Sequence, residues 1–166
     1  MFKCFYPDRY VDSTYGIDFR QLYQQGYRGL LFDIDNTLVP HGAPADARAK
    51  ALFAQLREIG FSYCFISNNK QERVESFCKE VGGFCICKAS KPNPKGYKKG
   101  MELLGTDVHT TLFVGDQLFT DIYGAKRAGI FCILVKPIHP KEEIQIVLKR
   151  HLEKLVLHFY LKEGDS

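Results

Sequence analysis

The chain has 166 residues and a formal net charge of +4; 45% of its residues are hydrophobic and 25% are charged. These values are ordinary for a soluble globular protein with one core. The charge is too mild to indicate nucleic-acid binding, so we expect no nucleic-acid partner. No apolar run approaches the roughly 20 residues that a membrane-spanning helix needs.

The N-terminus favours a cytoplasmic protein, and that location in turn favours reduced cysteines. Residues 1–7 lack the apolar stretch of about 7–15 residues that a secretory signal contains. Cys64, Cys85, Cys87 and Cys132 lie in apolar, strand-like runs. We therefore expect reduced cysteines that pack in the core rather than a zinc site, which needs about four ligands.

Hydrophobic periodicity predicts strands and helices that alternate along most of the chain. An aromatic-rich lead-in, residues 1–28, contains a short predicted helix over 18–25. The predicted strands cover 30–34, 61–66, 84–87, 111–114 and 131–135. The later predicted helices cover 46–59, 70–80, 94–104, 120–128 and 141–160. Buried strands that are each followed by a helix predict an α/β fold, with a mostly parallel five-stranded sheet between two helical layers.

The most informative segment is Asp33-Ile34-Asp35-Asn36-Thr37, which follows the apolar run 29–32. Side chains two positions apart on a strand point the same way, so Asp33 and Asp35 can act at one point. Two carboxylates held together raise each other's pKa unless a cation or a shared proton intervenes. A hard divalent cation such as Mg²⁺ meets that need.

Three further polar clusters fall at the C-terminal ends of predicted strands. They are Ser67-Asn68-Asn69, Lys91-Pro92-Asn93-Pro94, and the segment from Gly115-Asp116 to Asp121. Any one of them alone could be a polar turn. Ligands of such sheets bind beyond the carboxyl ends of the strands, so four clusters on one edge indicate a functional site.

Together these clusters resemble the four ordered motifs of the haloacid dehalogenase (HAD) superfamily: D-x-D-x-T, S, K, and G-D-x-x-x-D or its longer form. The match spans residues 30–135 and implies a three-layer, Rossmann-like HAD fold. More narrowly, Tyr10-Val11-Asp12-Ser13 and the tracts 35–40 and 115–121 resemble the YqeG-like phosphatases of subclass IIIA. That group is similar to mitochondrial phosphatidylglycerophosphate phosphatases.

The resemblance implies a Mg²⁺-dependent phosphatase and a role for each catalytic residue. Asp33 would be the nucleophile that forms an aspartyl-phosphate. Asp35 would protonate the leaving oxygen and then activate water for the second step. Lys91, rather than Lys88 or Lys95, would place positive charge against Asp33 and the phosphate, because it alone has the Lys-Pro context of the motif.

The remaining motif residues would bind phosphate or metal. Ser67 and the backbone amide of Asn68 would bind phosphoryl oxygens. Thr37 and Asn36 either bind the phosphate directly or only form a turn. The resemblance implies that Asp33, the backbone carbonyl of Asp35 and Asp116 hold Mg²⁺. Asp121 is either associated with the metal or caps the next helix.

The spacing of the motifs leaves little room for a cap domain. A predicted helix and strand occupy each of the two stretches where HAD enzymes carry caps, Asp35 to Ser67 and Ser67 to Lys91. We therefore expect one capless domain over residues 1–166, with an open site. An open site suits a bulky substrate such as a lipid headgroup or a macromolecule, although an oligomer could also close it.

The predicted C-terminal helix carries a wide apolar stripe. The stripe comprises Ile144, Val147, Leu148, Leu152, Leu155, Val156 and Phe159, with Lys149, Arg150 and Lys154 on the polar side. Such a helix either packs on the sheet or makes peripheral contact with an anionic membrane, here the inner face. The sharpest hypothesis for the substrate is therefore phosphatidylglycerophosphate; the alternative is a soluble sugar, nucleotide or protein phosphate.

Two other functional classes stay open at this stage. A phosphoacceptor switch, like a response-regulator receiver, has a similar sheet and acidic site, but a base at Asp35 would shorten the life of its phosphoaspartate. A binding module with a vestigial site could use the apolar helix to dock a partner. The intact motif residues argue against such decay.

Overall fold

A computed structural model describes residues 2–139 and 144–164, and the strands in this part of the chain form one sheet. The strands are β1 Arg9–Val11, β2 Gly29–Phe32, β3 Ser62–Ile66, β4 Phe84–Ile86, β5 Thr111–Gly115 and β6 Phe131–Val135. The α-helices are α1 Phe19–Gln24, α2 Ala47–Ile59, α3 Gln71–Val81, α4 Lys95–Leu104, α5 Tyr123–Arg127 and α6 Ile144–Gly164.

The sheet has the order β1-β6-β5-β2-β3-β4, and every neighbouring pair is parallel. β2 lies between β3 and β5, with Leu30 opposite both Tyr63 and Leu112. All residues of β2 are buried, as its uninterrupted apolar run predicts. The central position of β2 carries the segment that begins at Asp33 to the middle of one sheet edge.

Helices cover both faces of the sheet, which confirms the predicted three-layer α/β/α fold. Leu30 and Phe32 pack in one hydrophobic cluster with residues of α1, α2 and α3. Leu31, between them, packs in a second cluster with α4, α5, Val156 of α6 and the N-terminal aromatic residues. This division follows from the alternation of side chains along a strand.

Local signals fix several helix ends where the sequence places them. The Asp46 carboxylate accepts a hydrogen bond of 2.8 Å from the amide of Ala49 and so caps α2. Asp18 caps α1 in the same way through Gln21. α2 ends at Gly60, whose φ of +114° is left-handed and strains any residue with a side chain.

Within the described residues the sheet has six strands, so the predicted count of five was wrong. The additional strand, β1, comes from the lead-in and pairs with β6. Its three residues are only half-buried, and so short a segment shows no usable periodicity. Asp8 holds the strand in place, because its backbone amide donates to Cys132 O and its carboxylate accepts from the Cys132 amide.

The predicted helix over 120–128 is also more complex than expected. Leu118–Ile122 forms a π-helical turn, and only Tyr123–Arg127 is α-helical. This turn follows directly from the Gly115-Asp116 motif, and its first amides bond to a side chain of α6. The backbone after β5 is therefore shaped by a distant helix rather than by local propensity.

The C-terminal helix begins, within the described residues, at Ile144; its predicted first turn at 141–143 lies outside them. Val156 packs into the core, whereas Leu148, Leu152 and Leu155 are 65%, 61% and 51% exposed. Most of the predicted apolar stripe whose side chains are described therefore faces outward. Among the described residues, no helix is long and apolar enough to cross a membrane.

Candidate active site

The four predicted motifs meet at the carboxyl edge of the sheet around a cavity of about 360 Å³. β2, β3 and β5 end side by side, and the amide of Asp33 donates to the carbonyl of Val114 at 3.0 Å. The cavity is lined by Asp33, Asp35, Asn36, His41, Ser67, Asn68, Asn69, Lys91, Gln117, Thr120 and Lys149. The parallel sheet thus gathers residues that are far apart in sequence.

Lys91 forms the central ion pairs of the site. Its Nζ lies 2.7 Å from Asp33 Oδ1 and 2.6 Å from Asp121 Oδ1. Burial works to lower the pKa of Lys91, but the two carboxylates raise it above its usual range. Lys91 therefore stays charged, whereas Lys88 and Lys95, the alternatives in the sequence, are exposed.

Asn68 fixes the backbone of Lys91 rather than only flanking Ser67. The amide of Lys91 donates to Asn68 Oδ1 at 2.7 Å, and Asn68 Nδ2 donates to the Lys91 carbonyl at 3.2 Å. Ser67 is buried at the cavity wall, and its hydroxyl oxygen accepts from the Asn69 amide at 3.1 Å. The second and third motifs are thus joined by direct hydrogen bonds.

Three buried carboxylates share the floor of the site. Asp33, Asp116 and Asp121 each offer one oxygen, and these three oxygens lie within 4.8 Å of one another. Burial raises the pKa of Asp33 to about 6, with Lys91 opposing the shift and Asp121 adding to it. Burial, Asp33 and Asp121 raise the pKa of Asp116 well above its usual range, while Arg150 lowers it. Oxygen ligands with excess negative charge fit a hard divalent cation, so this cluster could hold one.

Asp121 also stabilises the loop after β5. Its Oδ2 accepts hydrogen bonds of 3.1 Å from the amides of Asp116 and Gln117. Gly115 permits this close approach, because a Cβ atom there would lie 2.7 Å from Asp121 Cβ and Cγ. Both oxygens of Asp121 are therefore engaged, one with the loop and one with Lys91.

Thr37 lies among the carboxylates. Its hydroxyl is 3.0 Å from Asp33 Oδ2 and 3.2 Å from Asp116 Oδ1, so it can donate to either one. The chain turns sharply just before it, because Asn36 has a φ of +63°. The buried hydroxyl of Thr14 donates to the Thr37 carbonyl at 2.8 Å and ties the turn to the lead-in.

Asp35 lines the same cavity but has different partners. Its Oδ1 accepts from the Gly42 amide at 2.8 Å and from Arg73 at 2.9 Å, while Oδ2 accepts from Asn69 Nδ2 at 2.8 Å. Burial alone would raise the pKa of Asp35, but these hydrogen bonds hold it below its usual value. Asp35 is therefore held as a carboxylate.

The sequence reading missed several residues that contact the motif carboxylates. Arg73 and Asn69 bind Asp35, while Arg150 binds Asp116 and also pairs with Glu153 at 3.0 Å. Only Asn69 lies within a predicted cluster. Arg150 looked like one more cation on the polar side of an amphipathic helix, and no local pattern distinguishes it.

Comparison with known proteins places the chain in a family. A sequence model of the haloacid dehalogenase-like hydrolases matches residues 42–129. The Bacillus subtilis (strain 168) protein named "Probable phosphatase YqeG" is 31% identical over 163 residues, which cover 98% of this chain and 95% of that protein. The chain therefore belongs to the haloacid dehalogenase-like hydrolases. It is a HAD phosphatase, a phosphoric monoester hydrolase that acts on a phosphorylated substrate.

Two further similarities concern a plant relative and the fold. Phosphatidylglycerophosphate phosphatase 1 of Arabidopsis thaliana is 29% identical over 163 residues, and the match covers 89% of this chain but only 46% of that protein. The cobalt-bound deoxy-D-mannose-octulosonate 8-phosphate phosphatase of Haemophilus influenzae superposes with a TM-score of 0.52. That structure is 11% identical, with 68% of this chain and 80% of the other covered, so it supports the fold alone.

Proposed function

We propose that this phosphatase is Mg²⁺-dependent and hydrolyses a phosphate monoester through an aspartyl-phosphate on Asp33. The observation that carries the proposal is the buried Lys91–Asp33 pair at 2.7 Å on the wall of an accessible cavity. A lysine so placed would neutralise the nucleophile and the incoming phosphate. Ser67 and Asn68 line the same cavity, and we propose that the Ser67 hydroxyl and the Asn68 amide bind phosphoryl oxygens. We propose the same binding role for Thr37.

Mg²⁺ would be held by Asp33, Asp116 and the backbone carbonyl of Asp35. Asp121, which also pairs with Lys91, would add negative charge beside the metal. The chemistry of this donor set supports the assignment, since three buried carboxylates lie together and, among the described residues, Lys91 and Arg150 are the cations that pair with them. When bound, the ion would neutralise negative charge on the carboxylates and the phosphoryl group.

The proposed reaction has two steps. A carboxylate oxygen of Asp33 attacks phosphorus, the bond from phosphorus to the ester oxygen breaks, and Asp35 gives a proton to the leaving oxygen. Water then loses a proton to Asp35, attacks phosphorus and frees Asp33. Three donors favour the ionised form of Asp35 here, so it must gain a proton before the first step.

A chromogenic phosphate ester tests the chemistry directly. We expect Mg²⁺-dependent release of phosphate by the wild type and a loss of more than about 10⁴-fold in Asp33→Asn, as for removal of other catalytic nucleophiles. Asp107→Asn, an exposed aspartate remote from the motifs, is the matched control. Equal turnover in Asp33→Asn would show that the nucleophile is assigned wrongly.

For the natural substrate we propose phosphatidylglycerophosphate. The name of the Arabidopsis relative supports this choice. So does the described chain, because it holds only α2 and β3 between Asp35 and Ser67, and only α3 and β4 between Ser67 and Lys91. We propose a single capless domain, whose open site admits a headgroup still attached to its membrane.

The exposed part of α6 supports contact with the membrane surface. Leu148, Leu152 and Leu155 follow helical spacing and are exposed, while Lys149 of the same helix lines the cavity. Such a combination fits an anionic lipid surface. We expect the protein to sediment with vesicles that contain phosphatidylglycerol and not with neutral vesicles, and Leu152→Gln to weaken this binding. Equal recovery with both vesicle types would contradict the contact.

A screen across substrate classes tests the lipid assignment. In mixed micelles with Mg²⁺, hydrolysis of phosphatidylglycerophosphate should exceed that of sugar, nucleotide and protein phosphates at equal concentration. Rapid hydrolysis of soluble esters without release of phosphate from the lipid would overturn the substrate and leave the phosphatase chemistry intact.

A further inference from the structure

The C-terminal helix reaches directly into the cluster of carboxylates. Arg150 of α6 donates through Nη2 to Asp116 Oδ2 and through Nη1 to the backbone carbonyl of Asp116. The Asp116 side chain is fully buried, and that of Arg150 is 15% exposed. The guanidinium therefore binds both the side chain and the backbone of Asp116. Two contacts of this kind restrict the orientation of the Asp116 carboxylate more than a single hydrogen bond does.

Glu153, one helical turn further on, holds both the arginine and the loop. Its Oε2 lies 3.0 Å from Arg150 Nη1, while its Oε1 accepts from the amides of Leu118 at 2.9 Å and Phe119 at 3.4 Å. These amides begin the π-helical turn that follows Asp116. Glu153 is only 4% exposed, so α6 supplies a buried anion and a cation that together fix this loop.

The two oxygens of Asp116 have different partners. Oδ2 receives the guanidinium of Arg150, whereas Oδ1 lies 3.2 Å from the hydroxyl of Thr37, which also contacts Asp33. Oδ1 is thus the oxygen on the Asp33 side, where a cation shared by the two carboxylates would bind. Arg150 binds the other oxygen, Oδ2.

We propose that Arg150, itself oriented by Glu153, is a positioning residue that presents Asp116 to the metal. The inference rests on the proposed Mg²⁺-dependent function. Groups that hydrogen-bond a metal ligand orient it, and their removal commonly weakens metal affinity by about 10–100-fold. The opposite reading, in which Arg150 stands in for the cation and competes with it, predicts tighter Mg²⁺ binding when the arginine is removed.

Calorimetric titration of the full chain with Mg²⁺, without substrate, separates the two readings. We expect Arg150→Met to bind Mg²⁺ about 10–100-fold more weakly than the wild type and Arg150→Lys to fall between them. Arg20→Met, at an exposed arginine of α1 on the other face of the sheet, should bind as the wild type does. Unchanged or tighter binding by Arg150→Met would overturn the proposal.

Kinetics distinguish positioning from general damage to the fold. Because Arg150 would act through the metal, raising the Mg²⁺ concentration should restore most of the turnover of Arg150→Met. Turnover that stays low when Mg²⁺ binding is saturated would contradict a role through the metal. Circular dichroism establishes that the variant is folded.

If Arg150→Met does not fold, Glu153→Gln decides the matter. Its amide oxygen can still accept from Leu118 and Phe119, but it no longer offers a charge to Arg150. We expect a several-fold loss of Mg²⁺ affinity, and unchanged affinity would overturn the proposal. Failure of the proposed function looks different, since the wild type would then bind no Mg²⁺ or Asp33→Asn would be fully active.

Discussion

The two aspartates of the first motif lie two residues apart but belong to two different regions of the site. The inner region comprises the buried residues Asp33, Lys91, Asp116 and Asp121. Lys91 forms ion pairs with Asp33 and Asp121, and Asp116 pairs with Arg150. The outer region surrounds Asp35, whose carboxylate accepts hydrogen bonds from Gly42 in the following loop, from Asn69 just before α3 and from Arg73 in α3. Burial raises the pKa of Asp33 to about 6, whereas hydrogen bonds lower that of Asp35 despite its burial.

This difference shows that one motif can hold two carboxylates whose pKa values are shifted in opposite directions. In the inner region, like charges and desolvation outweigh Lys91 and favour either a proton or a bound cation. In the outer region, the Arg73 guanidinium and the neutral donors Gly42 and Asn69 satisfy the charge without a bound metal ion. The strand ends at Phe32, and the left-handed turn at Asn36 sends the chain towards Gly42, so simple strand alternation does not govern the two side chains.

The largest effect that would sharpen the comparison is expected for Asp35→Asn. Loss of the acid and base should lower turnover by about 10²–10⁴-fold. Unlike Asp33→Asn, this variant keeps the nucleophile, so it should accumulate phosphorylated protein with an ester that has a good leaving group. Rapid-quench measurement of protein-bound phosphate checks this. Absence of labelled protein in Asp35→Asn, or full turnover, would contradict the assigned roles.

Metal removal should affect the inner region alone. At about 100 times its dissociation constant, Mg²⁺ adds about 2.7 kcal/mol to the free energy of unfolding, or about 5–10 °C in Tm for a domain of this size. Scanning calorimetry with Mg²⁺ and with chelator should show this shift in the wild type. Asp35→Asn should keep most of it, because only the backbone carbonyl of that residue is a proposed ligand, and Asp116→Asn should lose it. A full shift in Asp116→Asn would break the distinction between the regions.

Without metal, the two aspartates should give stability profiles of opposite sign. The folded state binds a proton at Asp33 more tightly than the unfolded state does. The contribution of Asp33 to the free energy of unfolding therefore falls as pH rises from about 4 to about 6. Over that range, the free energy of unfolding of Asp33→Asn should rise by about 1–3 kcal/mol relative to that of the wild type, because Lys91 keeps its contact with Asp121.

Asp35 should behave in the opposite way in the same measurement. Its folded pKa is lowered, so its carboxylate stabilises the fold above the unfolded pKa, and this contribution is lost as pH falls through the folded pKa. Denaturant unfolding in chelator at pH 4.5 and pH 7 checks Asp33→Asn, and the same measurement at pH 3 and pH 5 checks Asp35→Asn. The comparison fails if Asp35→Asn, like Asp33→Asn, is more favoured at the higher pH.

The smallest effect concerns Arg73, which contacts Asp35 at 2.9 Å. Arg73→Met should raise the pKa of Asp35, because it removes a cation and a hydrogen bond, while Gly42 and Asn69 remain. The carboxyl resonance of Asp35 should titrate at higher pH in nuclear magnetic resonance spectra, with turnover changed less than in Asp35→Asn. Arg48→Met, at an exposed arginine on the Tyr15 ring, is the control.

The sequence allowed most of the fold to be predicted, because its central strands are continuous apolar runs and its helices have clear caps. β1 escaped prediction because its three half-buried residues depend on pairing with β6 and on contacts between Asp8 and Cys132, more than a hundred positions away. The outward-facing leucines of α6 were also ambiguous, since an amphipathic pattern does not show which side meets the core.

The candidate site divides in the same way. Asp33, Lys91, Asp116 and Asp121 could be placed together because each follows a strand of one parallel sheet. Arg150 and Glu153 could not, because their partners are 34 and 35 positions away on another element. The burial of Glu153 reflects tertiary pairing, and a charged residue on a helix is ordinarily solvated.

Both edges of the sheet are formed by strands of three residues, β1 and β4. Such short borders expose few free backbone amides and carbonyls, and the Lys136–Asp12 ion pair lies just beyond β1. An incoming chain would find too little template to extend the sheet, which protects the protein from fibril-like stacking. Copies of the molecule that assemble should therefore meet through helices or loops, without adding strands to the sheet.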